Sequence, residues 1–171
     1  MSVQPLINLY GLDREQLEQL FIEQGLQAFR GRQLMKWVYH QGRTDFMAMT
    51  DLPLSMREWL EENANFELPR IESLRKSADG TRKWVLDVGE GNLIEMVLIP
   101  DRGRNTLCVS SQIGCMLDCS FCSTGKQGFS GNLPAATIVG QMVLANAELA
   151  TLGESVTNVV LMGMGEPLYN Y

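Results

Sequence analysis

A chain of 171 residues is long enough for one domain, or for one small domain and part of another. Its 45% hydrophobic and 20% charged residues are typical of a soluble globular protein. No segment approaches the roughly 20 apolar residues needed to cross a bilayer. The net charge of −6 disfavours a protein that binds polyanions in general. The first ten residues, MSVQPLINLY, lack the pattern of a secretory signal. We therefore expect a cytoplasmic protein without a membrane partner, in which clustered cysteines are metal ligands or catalysts rather than disulfides.

Residues 1–64 have the apolar periodicity of helices. In GLDREQLEQLFIEQG, Asp13 and Gln16 have the spacing of a capping box, an apolar stripe follows, and Gly25 predicts the helix end. RGRQLMKWVYHQG repeats this logic, and a third helix is predicted after Pro53. We predict a helical domain over 1–64.

One stretch of this helical region is basic. No acidic residue lies between Gln24 and Thr44, whereas four cations do: Arg30, Arg32, Lys36 and Arg43. Three aromatic or imidazole side chains are interleaved among them: Trp37, Tyr39 and His40. Because four positive charges are a weak signal, the sequence alone favours a solvated helical face with Trp37 in a core, and an RNA-binding helix is the alternative.

The periodicity changes after residue 64. Short strand-like runs separated by the turn signals ADG and GEG predict an antiparallel meander over 65–104, which we interpret as a connecting segment. NTLCVSSQ is predicted to be a further strand, PAATIVGQMVLANAELA a helix, and VTNVVLMG a strand. Since strand, helix and strand in this order begin a βαβ unit, residues 105–171 predict the start of a parallel sheet.

Three of the four cysteines lie within eight residues, at Cys115, Cys119 and Cys122. Three thiolates can hold one face of an iron–sulfur cluster or a catalytic zinc ion, and both arrangements leave one coordination position for another ligand. A structural zinc site normally has four ligands in two pairs. This chain has no second pair, since Cys108 lies in a predicted strand and His40 is far away in sequence. The ligand count therefore favours an open metal cluster over structural zinc.

The loop GCMLDCSFCSTGKQGF, with Phe121 before its last cysteine, resembles that of the radical S-adenosylmethionine superfamily, and MGMGEP at 162–167 resembles the Gly-Glu-Pro motif of that superfamily. More closely, TLCVSSQIGCMLDCSFCSTGKQGF and NVVLMGMGEPLYN resemble the dual-specificity RNA methyltransferases that methylate C2 of adenosine in large-subunit rRNA and in tRNA. The helical N-terminus and MKWVYHQG fit this family too, and the resemblance implies that residues 1–64 are an accessory RNA-binding domain. The resemblance implies an α+β N-terminal domain of helices and a small antiparallel sheet, followed by the first βα units of an α/β partial TIM-type barrel over 105–171.

The resemblance also implies roles for individual residues. The three loop cysteines would bind a [4Fe–4S] cluster, whose open iron would hold S-adenosylmethionine and deliver the electron that cleaves it to a 5′-deoxyadenosyl radical. Phe121 would lie near the adenine of this cofactor. Gly165 and Glu166 would receive its methionine end, where a carboxylate suits an ammonium group and glycine permits close approach. The implied partners are rRNA, tRNA and an electron donor such as a flavodoxin or ferredoxin.

Two further residues are candidates for catalysis. Glu95 is the only polar residue of LIEMVLI, and alternation places apolar side chains on its face of the strand. Such a carboxylate pairs with a cation or stays protonated, although an edge-strand glutamate bending toward water is the simpler interpretation from the residues alone. Cys108 is most simply a small core side chain. In the resembling family, the glutamate is the proposed proton acceptor in the RNA adduct, and the cysteine resolves the protein–RNA intermediate through a disulfide with a methyl-carrying cysteine near the C-terminus.

The family's chains are considerably longer and supply the rest of the barrel and that second cysteine. We therefore interpret the 171 residues as part of such a protein and expect that they cannot complete methyl transfer alone. Two alternatives remain at this stage. One is methylation at C8 of adenosine, as in the related antibiotic-resistance methyltransferases. The other is a non-catalytic RNA-binding or structural zinc module.

Overall fold

The computed structural model describes residues 5–117 and 119–170, which form two compact units that divide between Glu67 and Leu68. The α-helices in these ranges are Arg14–Glu23 (α1), Phe29–Met35 (α2), Leu54–Asn63 (α3) and Ala135–Ala150 (α4). The strands in the same ranges are Ile7–Asn8 (β1), Ala64–Asn65 (β2), Arg70–Lys76 (β3), Arg82–Asp87 (β4), Leu93–Asp101 (β5), Arg104–Cys108 (β6), Gln112–Gly114 (β7), Phe129–Asn132 (β8) and Asn158–Val160 (β9). No helix in these two described ranges is long and apolar enough to cross a membrane.

The first helix of the N-terminal unit begins as the sequence predicts. The Asp13 carboxylate accepts a hydrogen bond from the Gln16 N–H at 2.8 Å, and the Gln16 side chain accepts one from the Asp13 N–H at 2.9 Å. This reciprocal capping box satisfies two N–H groups that the helix cannot. The helix ends at Glu23, and Gly25 takes a φ of +73°, a conformation that favours glycine.

The second predicted helix divides into two parts. The α-helix α2 ends at Met35 and continues as a π-helical turn over Lys36–His40, in which the Gln41 N–H donates to the Lys36 carbonyl at 3.2 Å. The wider turn keeps Val38 buried while Tyr39 and His40 face solvent. Sequence periodicity did not anticipate this change, because a single π turn shifts the apolar pattern by only one residue.

The third helix starts after Pro53, as predicted, and the short strands β1 and β2 pair in parallel beside it. A buried apolar core holds the unit together. Its members are Leu9, Tyr10, Leu17, Phe21, Leu34, Val38, Phe46, Met49, Leu52, Met56, Leu60 and Ala64.

The C-terminal unit is built on a five-stranded sheet with the order β3-β4-β5-β6-β9. The first four strands form the predicted antiparallel meander, and β9 pairs in parallel with β6, as the predicted βαβ start requires. The strands that we interpreted as a connecting segment therefore share one sheet with β6 and β9. The division into accessory, connecting and barrel parts remains a prediction.

The predicted strand NTLCVSSQ is shorter than expected. Strand β6 ends at Cys108, and β7 forms a separate hairpin with β8. The cause is Ser110, whose backbone N–H and C=O both bond the side-chain amide of Gln141 at 2.9 Å instead of a neighbouring strand.

The two faces of the five-stranded sheet differ. One face packs against α4 through a buried apolar cluster that contains Trp84, Leu86, Ile94, Met96, Leu98, Leu107, Val109, Leu133, Ala145 and Leu149. The other face, which we call the Glu95 face, carries Lys83, Glu95, Val97 and Cys108, because Val97 lies opposite both Lys83 and Cys108 in the strand register.

Candidate cofactor site and catalytic face

The loop that carries the three cysteines leaves and re-enters the fold at one narrow neck between β7 and β8. At the neck, the Cys115 N–H donates to the Gly128 carbonyl at 2.9 Å. Gly114 has a φ of +74°, and a Cβ at this position would lie 1.8 Å from the Gly128 oxygen. The neck therefore requires glycine at 114, and it places the cysteines on one short loop that begins at Cys115.

The loop cysteines are partly buried free thiols. The Leu117 N–H points at the Cys115 sulfur at 3.4 Å. Backbone N–H groups of Gly125 and Thr124 hold the pKa of the Cys122 thiol below its ordinary value. The contacts of Cys122 favour its thiolate, which is the form that binds metals.

The described residues do not gather three His, Cys, Asp or Glu side chains around one point as a metal site does. The fold thus brings the cysteines into one loop without arranging them as a coordination sphere. Their chemistry fits a soft metal cluster, because three thiols come from this one loop. That these cysteines hold a [4Fe–4S] cluster remains a prediction.

Phe121 lies in the same loop and is 92% exposed. Packing against the residues that the structure describes therefore does not explain an aromatic side chain here. Its predicted position near the cofactor adenine likewise remains a prediction.

The Gly-Glu-Pro turn follows β9 and lies directly on the chain that leads from β6 to the cysteine loop. The Gly163 N–H donates to the Val109 carbonyl at 3.0 Å, and a Cβ on Gly163 would lie 2.6 Å from that oxygen. The Met164 carbonyl accepts from the N–H groups of Ser111 and Gln112, at 2.8 Å and 3.2 Å. The two segments therefore approach too closely for any side chain at 163.

Within this turn, Gly165 has a φ of +97° and Glu166 begins a short 3-10 helix, Pro167–Tyr169. The Glu166 carboxylate accepts a hydrogen bond from the Leu168 N–H at 3.0 Å, and Glu166 is partly buried. This hydrogen bond fixes the orientation of the Glu166 carboxylate.

Glu95 lies on β5, a central strand flanked by β4 and β6, so the edge-strand interpretation is wrong. Of the two solutions expected for its charge, the structure shows pairing, since the Lys83 ammonium lies 2.7 Å from the Glu95 carboxylate. Both side chains are nearly half exposed, at 45% and 47%. An ion pair this exposed contributes about 0–1 kcal/mol to stability, so its main effect is to orient the carboxylate.

Cys108 lies on the same face as Glu95. Burial raises the pKa of the Cys108 thiol, an effect that a hydrogen bond from the Met162 N–H partly opposes. The side chain is half-buried and is not the fully buried core cysteine that the simplest sequence interpretation expects.

The candidate residues meet at one end of the sheet. Cys108 is the last residue of β6, the segment after it leads through β7 to the cysteine loop, and the Gly-Glu-Pro turn follows β9, so these groups come from the carboxyl ends of neighbouring parallel strands. Glu95 belongs to the same end, because the Ser110 hydroxyl donates to the Glu95 carbonyl at 2.6 Å.

Sequence reasoning missed the buried polar residues that join these segments, Ser110, Gln112 and Gln141. All three are 0% exposed. Two of them interrupt otherwise apolar surroundings, Gln141 in the helix α4 and Ser110 after a strand, and that interruption is the signal that could have found them.

The basic stretch of the N-terminal unit is partly structural. Arg32 forms an ion pair with Glu18 at 2.9 Å, and Arg30 donates to the Asp51 carbonyl at 2.6 Å. Trp37 is only half-buried and donates its indole N–H to the Asp51 carboxylate at 2.5 Å, so it is not the core residue that we expected. Among the described residues, Lys36 and Arg43 are exposed and form no ion pair.

Comparison with known proteins gives a consistent answer. The family model described as "Ribosomal RNA large subunit methyltransferase N-terminal domain" matches residues 7–66. The "Dual-specificity RNA methyltransferase RlmN" of Pseudomonas putida (strain W619) is 53% identical over 96% of this chain, and that of Pseudomonas entomophila (strain L48) is equally similar. The chain belongs to the RlmN family. It spans less than half the length of these RlmN relatives, 44% and 45% respectively.

The fold agrees with this assignment. The crystal structure of a radical SAM methyltransferase from Sphaerobacter thermophilus superposes with a TM-score of 0.83 and 38% identity. The match covers 98% of this chain and 49% of the solved one. The chain therefore corresponds to the N-terminal part of RlmN-family proteins, and the mixed α and β architecture is that of this part.

Proposed function

We propose that the chain is the N-terminal part of a radical S-adenosylmethionine RNA methyltransferase that methylates C2 of adenosine in large-subunit rRNA and in tRNA. The observation that carries the proposal is the junction of the cysteine loop and the Gly-Glu-Pro turn at the carboxyl ends of β6 and β9. We further propose that these two strands are the first of a partial TIM-type barrel. Membership of the RlmN family supports both statements.

In this proposal Cys115, Cys119 and Cys122 hold a [4Fe–4S] cluster. The bound cluster supplies the electron that cleaves S-adenosylmethionine. Gly165 and Glu166 bind the methionine end of that cofactor, where the close backbone approach and the fixed carboxylate suit an ammonium group. The neck at Gly114 holds the loop at the mouth of the site.

The Glu95 face supplies the groups that act on the RNA. Glu95 accepts the proton that leaves the RNA adduct, with Lys83 orienting its carboxylate. Cys108 would then resolve the intermediate: its thiol loses a proton and its sulfur bonds the sulfur of a methyl-carrying cysteine outside the 171 residues. The bond between that second sulfur and the RNA-bound carbon breaks, and its electron pair leaves with the carbon, which takes up a proton and becomes the methyl group. Burial raises the pKa of the Cys108 thiol and so favours its protonated form before this step.

The N-terminal unit would bind the RNA. Lys36 and Arg43 are exposed and would contact RNA phosphates, and Tyr39 and His40 between them would contact bases. All four side chains belong to the π-helical turn Lys36–His40 or to the residues just after it. The remaining parts of the proposal are a cytoplasmic location and an electron donor such as a flavodoxin or ferredoxin, because a thiol-bound cluster needs a reducing compartment.

Reconstitution without oxygen tests the proposal. The chain should take up about four iron and four sulfide ions, turn brown, and change its absorption spectrum on addition of S-adenosylmethionine. A colourless protein with one zinc ion per chain would instead support the RNA-binding zinc module. Mass analysis of RNA modified by a full-length relative separates C2 from C8 methylation, and the 171-residue polypeptide alone should give no turnover.

Binding of RNA is tested separately by charge reversal. Lys36→Glu with Arg43→Glu should weaken RNA binding and lower the salt slope by about one to two, because each lost phosphate contact removes about one released counterion. Arg32→Glu is a poor choice for this test, since it also breaks the ion pair with Glu18. Unchanged affinity in the double variant would remove this surface from the proposal.

A further inference from the structure

Two fully buried glutamines lie where β6 leads into the cysteine loop. Gln112 and Gln141 are both 0% exposed. A buried amide costs free energy unless its donors and acceptor are hydrogen-bonded, so the partners of each side chain show what it holds in place.

Gln141 bonds Ser110 and its own helix, where its amide also donates to the Thr137 carbonyl at 3.5 Å. Its carbonyl oxygen accepts from the Ser110 N–H and its amide donates to the Ser110 carbonyl, both at 2.9 Å. The side chain thereby takes the place of a neighbouring strand and attaches the end of β6 to α4. Its role is to complete the fold.

Gln112 instead joins three segments. Its carbonyl oxygen accepts from the Glu166 N–H at 3.0 Å, and its amide donates to the Asn132 side chain at 2.8 Å. Its backbone N–H donates to the Met164 carbonyl at 3.2 Å. One residue thus connects the start of β7, the end of β8 and the Gly-Glu-Pro turn.

The contact with Gly165 is an independent sign of the same arrangement. A Cβ on Gly165 would lie 2.5 Å from the Gln112 Cβ and 2.7 Å from its Cγ, so the turn rests directly on this side chain. Gln112 also begins the strand that ends at the neck residue Gly114, immediately before Cys115. The Gln112 side chain therefore lies directly between the cysteine loop and the Gly165–Glu166 part of the turn, whereas backbone bonds hold Gly163 and Met164.

We propose that Gln112 is a positioning residue that holds Gly165 and Glu166 at a fixed distance from the cysteine loop. A ligand held at both places, an α-amino acid sulfonium compound with its ammonium group on the turn and its reactive end at the loop metal, needs that distance to be constant. Errors of about 1 Å in such a site are costly for binding and reaction. The identity of the ligand rests on the proposed function, whereas the positioning of the turn does not.

The test compares Gln112→Met with Gln141→Met. Each variant removes at least two side-chain hydrogen bonds from a fully buried glutamine, so a similar loss of thermal stability is expected from both. Only Gln112→Met should speed hydrogen exchange of the Glu166 amide, by about tenfold, since one net hydrogen bond is lost there. In iron-loaded protein, Gln112→Met should also weaken S-adenosylmethionine binding by about tenfold at unchanged iron content. Gln141→Met should change the Glu166 exchange rate and the S-adenosylmethionine affinity by about twofold at most.

A milder variant covers the case in which Gln112→Met does not fold. Asn132 is exposed, and Asn132→Ala removes one partner of the Gln112 amide together with a hydrogen bond that Asn132 donates to the Tyr169 carbonyl at 3.2 Å. Exchange of the Glu166 amide should then rise by about twofold to fivefold, because the glutamine side chain can rotate and the short helix after Glu166 loses one contact. A folded protein with unchanged exchange would overturn the inference.

The remaining outcomes are also decisive. Equal effects of the two glutamine variants on exchange and cofactor binding would reduce Gln112 to a structural role and overturn the positioning claim. Wild-type protein that takes up iron but does not respond to S-adenosylmethionine would count against the proposed function. In that case the Glu166 exchange rates still decide whether Gln112 positions the turn.

Discussion

The Gly-Glu-Pro turn and the cysteine loop are proposed to hold the same cofactor, yet the fold treats them differently. The turn is fixed by buried partners, with Met164 and Glu166 both bonded to the segment beneath them. The cysteine loop is anchored at its neck, exposes Phe121 to 92%, and does not gather its thiols into a coordination sphere within the described residues. If the proposed cofactor binds here, the protein preorganises the turn that would hold its amino acid end, whereas the metal would have to order the cysteine loop.

This difference has a physical basis. Metal–thiolate bonds are strong enough to order a loop as they form, and in small metal-binding domains the binding free energy is also folding free energy. Contacts to an amino acid are weaker, so a turn that binds one has to be rigid beforehand. We therefore expect substitutions within the cysteine loop to lower metal content alone. Substitutions of the residues that anchor the loop or the turn should lower the stability of the fold as well.

The largest effect is expected from Cys119→Ser. A serine oxygen is a poor ligand for a soft cluster, so iron and sulfide content should fall to near zero in anaerobic reconstitution. Because the loop contributes little buried surface, the melting temperature of the metal-free protein and the exchange rate of the Glu166 amide should not change. Cys108→Ser is the matched control and should retain full iron content. A metal-loaded Cys119→Ser protein would remove this residue from the ligand set.

A second large effect is expected from Gly114→Ala. Its Cβ would lie 1.8 Å from the Gly128 oxygen at a φ of +74°, so the neck must open. We expect a loss of about 3 kcal/mol in the free energy of unfolding, measured by urea titration, together with reduced iron uptake. Gly131→Ala lies in the same hairpin, where a Cβ would meet nothing within 4 Å, and should change the free energy of unfolding by less than about 1 kcal/mol. Similar losses in both variants would show that the neck does not control the loop.

The sequence predicted the features that depend on local residue patterns and on the order of the elements. Asp13 and Gln16 form the predicted capping box, and the parallel pairing of β6 with β9 follows from the order of strand and helix. It was less informative where long-range partners decide. The pairing of Glu95 with Lys83 depends on strand register, and the early end of β6 depends on Gln141, 31 positions from Ser110. The π turn after Met35 has no local signature at all.

The third and smallest effect is expected at Cys108, the last residue of β6. Burial raises the pKa of its thiol above the value in the unfolded chain. The folded state therefore keeps its proton when the unfolded state has lost it, so this contribution to stability is complete below the ordinary thiol pKa and disappears as the pH rises through the folded pKa. Urea titrations should show part of the alkaline loss of stability absent from Cys108→Ala. Burial should also make alkylation of Cys108 by iodoacetamide slower in the native protein than in the unfolded one. An identical alkaline profile in both proteins, together with equally fast alkylation, would mean that the thiol is as accessible when folded as when unfolded.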